Sequence, residues 1–180
     1  MTWQVQPLPT RGPLFEGAIA VYAEAFAEPP YSDPDRGKEI RKRLRDVHCL
    51  RRGFQAFAAI EGHGEVVGMT YGYCGAPGQW WHDTVAATLP RESAWAWLSR
   101  SYELVELAVE PVRQGQGIGS ALVECLLHGR EEDTCVLSTR TDSRAHNLYQ
   151  RLGFEIVTTM RFVPDGAAFY IMGKRLTREV

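Results

Sequence analysis

The sequence predicts an α/β (α+β) fold built as a single domain over residues 1–180. Three observations carry that reading. Strand-like runs alternate along the chain with segments of helical spacing. A glycine-rich turn from Gly115 to Gly119 joins one such strand to one such helix. And 180 residues, 44% of them hydrophobic, suffice for one buried core.

The elements follow in order. Thr2 to Pro7 reads as a short strand. Gly17 to Ala27 is an Ala-rich helix with Ile19, Tyr22 and Phe26 at roughly helical spacing. It stops at Glu28-Pro29-Pro30-Tyr31, because a residue before proline is pushed out of the helical region. Ser32-Asp33-Pro34 reads as the cap and first turn of a second helix, with apolar positions Ile40, Leu44, Val47 and Leu50. The Arg and Lys residues between them read as a solvated face. Phe54 to Ile60 and Glu65 to Cys74 are two strands joined by a Gly62-His63-Gly64 hairpin turn. Ala76 to Arg100 is a long Trp-rich connection with one short helix at Glu92 to Leu98. Tyr102 to Val109 is a strand, and the helix after the glycine turn runs from about Gly117 to His128, stopped by Gly129. Thr134 to Ser138 is a strand, Ser143 to Arg151 a helix, and Phe154 to Met160 and Ala168 to Met172 two closing strands.

Charge and cysteine usage narrow the function classes. The net charge of −2 gives no global basic field for nucleic acid or an anionic membrane. No run approaches the ~18 apolar residues of a membrane span. The start, Met1-Thr2-Trp3-Gln4, has neither a positive n-region nor an apolar h-region, so a cytoplasmic protein is expected. Cys49, Cys74, Cys125 and Cys135 form no CxxC pair and no zinc spacing. They read as buried, reduced thiols, and no metal site is expected.

The segment from Glu106 to Val123 carries the chemistry. Its glycines, Gly115, Gly117 and Gly119, remove Cβ atoms where a strand enters a helix. Free N–H groups of the first helical turn and the positive dipole end then converge, which suits a phosphate or pyrophosphate. No Gly-Lys-Ser/Thr follows, so it is not a Walker A loop. The order G-x-G-x-G, past the middle of the chain, also departs from the dinucleotide turn. A tight turn with no ligand is the plain alternative.

Gln114-x-x-Gly117-x-Gly119 resembles the Q/R-x-x-G-x-G/A acetyl-CoA motif of the GNAT superfamily of N-acetyltransferases. Glu106-Leu107-Ala108-Val109-x-Pro111 is similar to that family's fourth strand. Asp142-x-x-Ala145-x-x-Leu148-Tyr149-x-x-Leu152-Gly153-Phe154 resembles its N-x-x-A-x-x-L-Y-x-x-L-G-F motif. The resemblance is specific over about residues 101–160. It implies a mixed, twisted sheet, splayed between its fourth and fifth strands, with helices on both faces. It implies acetyl-CoA as cofactor, with CoA as product. The pyrophosphate would meet the amides of Gly115, Gln116, Gly117, Ile118, Gly119 and Ser120 beside Gln114. The pantetheine arm would pair with the strand backbone near Leu107 and Val109, and the Val109 amide would polarise the thioester carbonyl. Asp142 stands where the family often has Asn and lacks that amide donor. It is placed instead to cap the helix that follows.

Acetyl transfer to an amine needs a base, an oxyanion donor and an acid. The resemblance places Tyr149 beside the thioester, and a phenol is protonated at neutral pH, so Tyr149 is the expected acid. Glu106 is the first choice for the base and Glu103 the second; His82, His146 and Glu28 are outside candidates, and water alone is a further one. Pro30 and Tyr31, with Trp80, Trp81 and His82, are expected to form the acceptor site, since aromatic faces suit an apolar or cationic amine. The expected function is acetyl transfer to a primary amine of a small molecule by a monomer or homodimer. Acetylation of a protein lysine or N-terminus is an alternative. A non-catalytic CoA-binding module is an alternative of another class, and a Rossmann-type nucleotide binder the last.

Overall fold

The structure is a computed structural model and describes residues 2–177. The domain expected over 1–180 thus extends past the described residues at Met1 and at 178–180. The chain orders as β1 (Trp3–Pro7), α1 (Pro13–Ala27), α2 (Arg36–Asp46), β2 (Gln55–Glu61), β3 (Glu65–Cys74), α3 (Trp80–Thr88), α4 (Arg91–Leu98), β4 (Ser101–Val109), α5 (Ile118–Leu127), β5 (Thr134–Arg140), α6 (Ala145–Arg151), β6 (Glu155–Arg161) and β7 (Ala168–Arg175). Single 3₁₀ turns follow α2 at His48–Leu50 and β4 at Pro111–Arg113. The seven strands form one mixed sheet in the order β1-β2-β3-β4-β5-β7-β6. The expected α/β fold with a mixed sheet is what the chain adopts.

Two compact units divide the chain, and β4 contributes to both. The first holds residues 1–73 and 105–128. Here β1, β2 and β3 pair antiparallel, joined by the Gly62-His63-Gly64 turn between β2 and β3. Both faces are covered. Phe15, Ile19, Tyr22 and Phe26 of α1, with Ile40 and Leu44 of α2, meet Ala58, Ile60, Met69, Tyr71 and Ala108. On the other face Ile118 and Leu122 of α5 meet Ala59, Val67, Leu107 and Val109. The β2–β3 register shifts between Ala59 and Ile60, and consecutive residues Val67 and Gly68 both turn toward α5. A Cβ at Gly68 would sit 3.0 Å from Ile118 Cγ2 and 3.0 Å from Leu122 Cδ1, so its absence sets how closely α5 approaches.

The second unit holds residues 74–104 and 129–180. The start of β4 runs parallel to β5 over three pairs, Ser101 to Glu103 against Thr134 to Val136. β5 continues to Arg140, held on its other side by β7, and β7 pairs with β6. That short parallel ladder is the feature expected of a splayed sheet. Val85 and Leu98, from α3 and α4, pack with Val136, Met160 and Ile171. Beside Ile171, Tyr170 turns to α6, where the His146 ring meets it edge-on at 5.4 Å.

Several expected boundaries change, among them the start of α1, which lies at Pro13 rather than Gly17. The Ala76–Arg100 connection holds two helices rather than one, because Trp81 and Trp97 are partly buried against the sheet and order it. The second helix starts at Arg36, not at Ser32-Asp33-Pro34: Ser32 takes φ +48 and the Asp33 carboxylate accepts the Asp35 N–H at 3.2 Å, a local turn ahead of the helix. That helix also ends at Asp46, so Val47 and Leu50 lie outside its apolar stripe and are exposed. As for the thiols, Cys135 is buried, whereas Cys49, Cys74 and Cys125 are half-buried; none of the four is in a disulfide.

Gly173 of β7 supplies a packing test. A Cβ there would lie 2.5 Å from the Trp97 ring, a bulky group with the Arg175 guanidinium 4.2 Å from its face. Gly173→Ala is expected to lower stability by about 1–3 kcal/mol, read from urea unfolding midpoints. An unchanged midpoint would show that Trp97 moves aside freely.

Candidate functional site

The glycine turn is built by its backbone. Gly115 and Gly117 take φ +78 and +84, conformations that side chains with a Cβ rarely adopt, and the space a Cβ would fill is open. Gly117 is the N-cap of α5, and the first intrahelical bond runs from Ala121 N–H to Gly117 O. The N–H groups of the first turn, Ile118 to Ser120, therefore point out of the helix end. Gly119 lies within that first turn in helical backbone rather than in the left-handed region. Gln114 donates its side-chain amide to Val109 O at 3.2 Å, tying the turn to the end of β4. Arg113, just before it, is held by Glu61 at 2.6 Å and by Glu110 at 3.7 Å. Glycine conformation, open space and outward amides fit an anionic, phosphate-bearing group.

Glu106 sits in the same unit on the opposite side of β4. It is buried beneath α1 and α2 at 8% exposure. Thr70 Oγ1 donates to its backbone carbonyl at 2.8 Å, locking the strand position. The Tyr22 hydroxyl is close enough to Glu106 to lower its carboxyl pKa. The Arg36 guanidinium lies 4.0 Å from Glu106 Oε1, and its Nε donates to Tyr22 Oη at 2.7 Å. Burial raises the Glu106 carboxyl above the usual range, while Arg36 and Tyr22 pull it back down. Burial and the neighbouring Glu106 charge push the Tyr22 phenol up, so it stays protonated. Behind it, Tyr71 is fully buried and pairs with His48 Nδ1 at 2.9 Å.

The acceptor residues expected in this unit are part of the same cluster. Tyr31 lies 4.5 Å from Phe26, ring to ring, and the Arg36 guanidinium lies 5.3 Å from the Tyr31 ring. Pro30 precedes it in a cis Pro29-Pro30 pair.

The second unit holds the remaining expected residues. Tyr149 is on α6, buried at 6% exposure, its ring edge-on to Phe154 at 5.7 Å. Glu103 is buried on β4. Trp80 is exposed beside Phe162, Trp81 Nε1 donates to Ser138 Oγ at 3.0 Å, and His82 is buried with Nδ1 3.1 Å from Asp83. Asp142 does not cap α6. Its carboxylate takes two bonds from Arg140, at 2.9 and 2.7 Å, which hold it below the usual carboxylate range, and the Ser143 hydroxyl accepts the Ala145 N–H instead. His146 Nδ1 is turned to the Ser143 carbonyl.

Sequence reasoning missed Arg36, Tyr71 and His48. The basic run was expected to be a solvated face, yet Arg36 stands four before Ile40 and eight before Leu44, on the buried stripe. That spacing was the available signal.

Comparisons with known proteins bear on the family and the fold. The family model described as "Acetyltransferase (GNAT) domain" matches residues 52–156. A curated "GCN5-like protein acetyltransferase" of Mycobacterium tuberculosis is 39% identical over 88% of this chain and 90% of its own length. A solved acetyltransferase of the GNAT family from Desulfovibrio desulfuricans superposes with TM-score 0.69 at 16% identity, covering 97% of this chain and 99% of that one. A chain of the NatC complex bound to Gag peptide and CoA superposes with TM-score 0.62 at 18% identity, over 98% and 100% of the two chains. Among the described residues no helix is long and apolar enough to cross a membrane.

His48 makes the acid response of this cluster measurable. Burial, then the charges of Arg51 and Arg43, lower its pKa from 6.5 to about 3. Between those values the unfolded chain binds the proton and the folded one does not, so stability falls as pH falls through that window. The slope from this group reaches roughly 1.4 kcal/mol per pH unit. His48→Gln is expected to flatten the loss of stability between about pH 6 and 4, followed by urea unfolding at each pH. Parallel wild-type and variant curves would remove His48 as the source.

Proposed function

The chain belongs to the GNAT acetyltransferase family, and from that premise we propose that it transfers the acetyl group of acetyl-CoA to a primary amine by direct attack in a ternary complex. The single observation that carries the reading is Glu106, a buried carboxylate with raised pKa facing Tyr22 and Arg36 on the strand that ends at the glycine turn. When bound, acetyl-CoA supplies an acetyl group activated as a thioester. The amides of Gly115 to Ser120, with Gln114 bracing the turn, would hold its pyrophosphate. The β4 backbone at Leu107 and Val109 would orient the pantetheine arm, and the Val109 N–H would serve as donor for the carbonyl oxygen.

Glu106 takes the proton of the acceptor ammonium. An alkyl amine with pKa ≈ 10.4 is almost wholly protonated near neutrality, so a base is required, and a raised carboxyl pKa makes Glu106 a stronger one. Glu103 is the second choice. Tyr149 Oη holds the proton that the departing thiolate needs. Asp142 is occupied by Arg140, and its role toward the cofactor is at most that of a fixed neighbour of α6.

The acceptor is read first as a small-molecule amine, because Tyr31 beside Pro30 in one unit, and Trp80, Trp81 and His82 in the other, carry aromatic rings that suit an apolar or cationic amine. A protein lysine or N-terminus is the second reading, supported by the words "protein acetyltransferase" in the name of the 39% identical relative. One acetyltransferase domain serves either.

A panel of small amines and lysine-bearing peptides, followed by CoA release, tests the acceptor. Glu106→Gln is expected to reduce kcat/KM by about 10²-fold or more and to move the pH–rate profile upward. Tyr149→Phe is expected to reduce kcat while leaving CoA affinity by calorimetry nearly unchanged. Failure of any acetyl-CoA binding below millimolar would sink the reading, and unchanged turnover in either variant would remove that residue from it.

A further inference from the structure

Arg36 occupies a position where patterning calls for an apolar residue. It opens α2 on the stripe of Ile40 and Leu44. Its guanidinium lies 4.2 Å from the Phe26 ring centroid, 5.3 Å from Tyr31 and 6.0 Å from Tyr22. Its side chain is 31% exposed, so one edge faces solvent while the other faces Glu106. The hydrogen bonds are directional. Arg36 Nε fills an acceptor lone pair of Tyr22 Oη at 2.7 Å. A hydroxyl has one proton to give, and with Arg36 on its oxygen that proton is left to point away from Arg36, the side on which Glu106 acts on Tyr22. A planar fork that stacks on rings and donates sideways is an arginine property that lysine lacks.

We infer that Arg36 is a positioning residue for acetyl transfer: it fixes the Tyr22 hydroxyl on Glu106 and keeps that carboxylate charged and ready to accept a proton. The inference rests on the reading of Glu106 as the base. The groups that face Glu106 are Tyr22 from α1, Arg36 and, one face further along, Arg43 from α2, and Tyr71 from β3, with Thr70 on its backbone carbonyl. Burial favours the neutral carboxyl; Arg36, Tyr22 and Arg43 oppose it. Of these Arg36 is the strongest opponent of burial and also orients Tyr22, so it acts twice. Without it Glu106 holds its proton to higher pH, and the acidic limb of the rate profile moves up.

The test uses the full chain with ¹³C-labelled Glu carboxyls, titrated by NMR in wild type, Arg36→Met and Arg36→Lys. The Glu106 signal is identified by its loss in Glu106→Gln. The pH dependence of CoA release with the best amine of the panel runs in parallel. Arg36→Met is expected to raise the Glu106 midpoint by about 1–3 pH units and to carry the acidic limb with it. Arg36→Lys, which keeps charge but not the fork, is expected to shift both less. Arg36→Gln serves as the neutral variant if Arg36→Met does not fold. An unmoved midpoint in the neutral variant overturns the inference. A limb lost in Glu106→Gln but unmoved in the neutral variant overturns the role of Arg36 alone. A limb that survives in Glu106→Gln overturns the base, and the role of Arg36 falls with it.

Discussion

A carboxylate inside a hydrophobic core is the constraint on which much of the first unit depends. Removing an ion from water costs several kcal/mol unless fixed donors replace the solvent. Glu106 therefore dictates what surrounds it. α1 supplies Tyr22, α2 supplies Arg36, and β3 supplies Thr70 to lock the strand beneath. Each donor is anchored in turn by apolar neighbours: Tyr22 stacks on Phe26 at 4.4 Å, and Arg36 rests on Phe26 at 4.2 Å. The aromatic packing of α1 and the polarity of the base are thus one arrangement. A core built for stability alone would carry an apolar residue at 106 and release both helices from these polar demands.

The other face of the same strand answers to a different requirement. Leu107 and Val109 pack toward α5, whose approach is set by Gly68 and whose N-terminus is opened by Gly117. The need here is backbone exposure, and it is met by leaving side chains out. β4 carries both because strand side chains alternate: Glu106 and Ala108 meet α1 and α2, Leu107 and Val109 meet α5. Proton chemistry and phosphate recognition are separated by the thickness of one strand.

These two requirements differ in how visible they are in a sequence. Glycines at 115 and 117 announce themselves, since few structures other than a left-handed turn call for them in that spacing. Strand and helix order was legible for the same local reasons. The helices of 76–100 were half hidden, because exposed Trp80 and Trp95 break the apolar periodicity that half-buried Trp81 and Trp97 would have shown. The start of α2 was misplaced because Pro34 resembles a first-turn proline, while the turn ahead of the helix depends on backbone bonds such as Asp33 N–H to Phe26 O. Arg36 stands just ahead of the basic run read between Ile40 and Leu50 and drew no separate reading. What tells it apart is the stack of Tyr22, Phe26 and Tyr31 beneath it, a tertiary fact drawn from two segments.

That tertiary fact bears on why the acceptor side is harder to read than the cofactor side. A phosphate is recognised by backbone N–H groups, and backbone conformation leaves glycine signatures. An amine is recognised by ring faces and a carboxylate, residue types that every core also uses. In this chain the same rings that would face an amine already hold a guanidinium. A cationic acceptor approaching Tyr31 meets that fixed positive charge, offset only in part by Glu106 at 4.0 Å. On the proposed reading such a site would favour an acceptor that gives up its proton as it arrives. In the low-dielectric surroundings of Glu106 a neutral amine and a neutral carboxyl are together easier to hold than two charges beside Arg36. Deprotonation and binding would then be one event, and Arg36 would both keep Glu106 charged before the acceptor arrives and discourage the acceptor from staying charged.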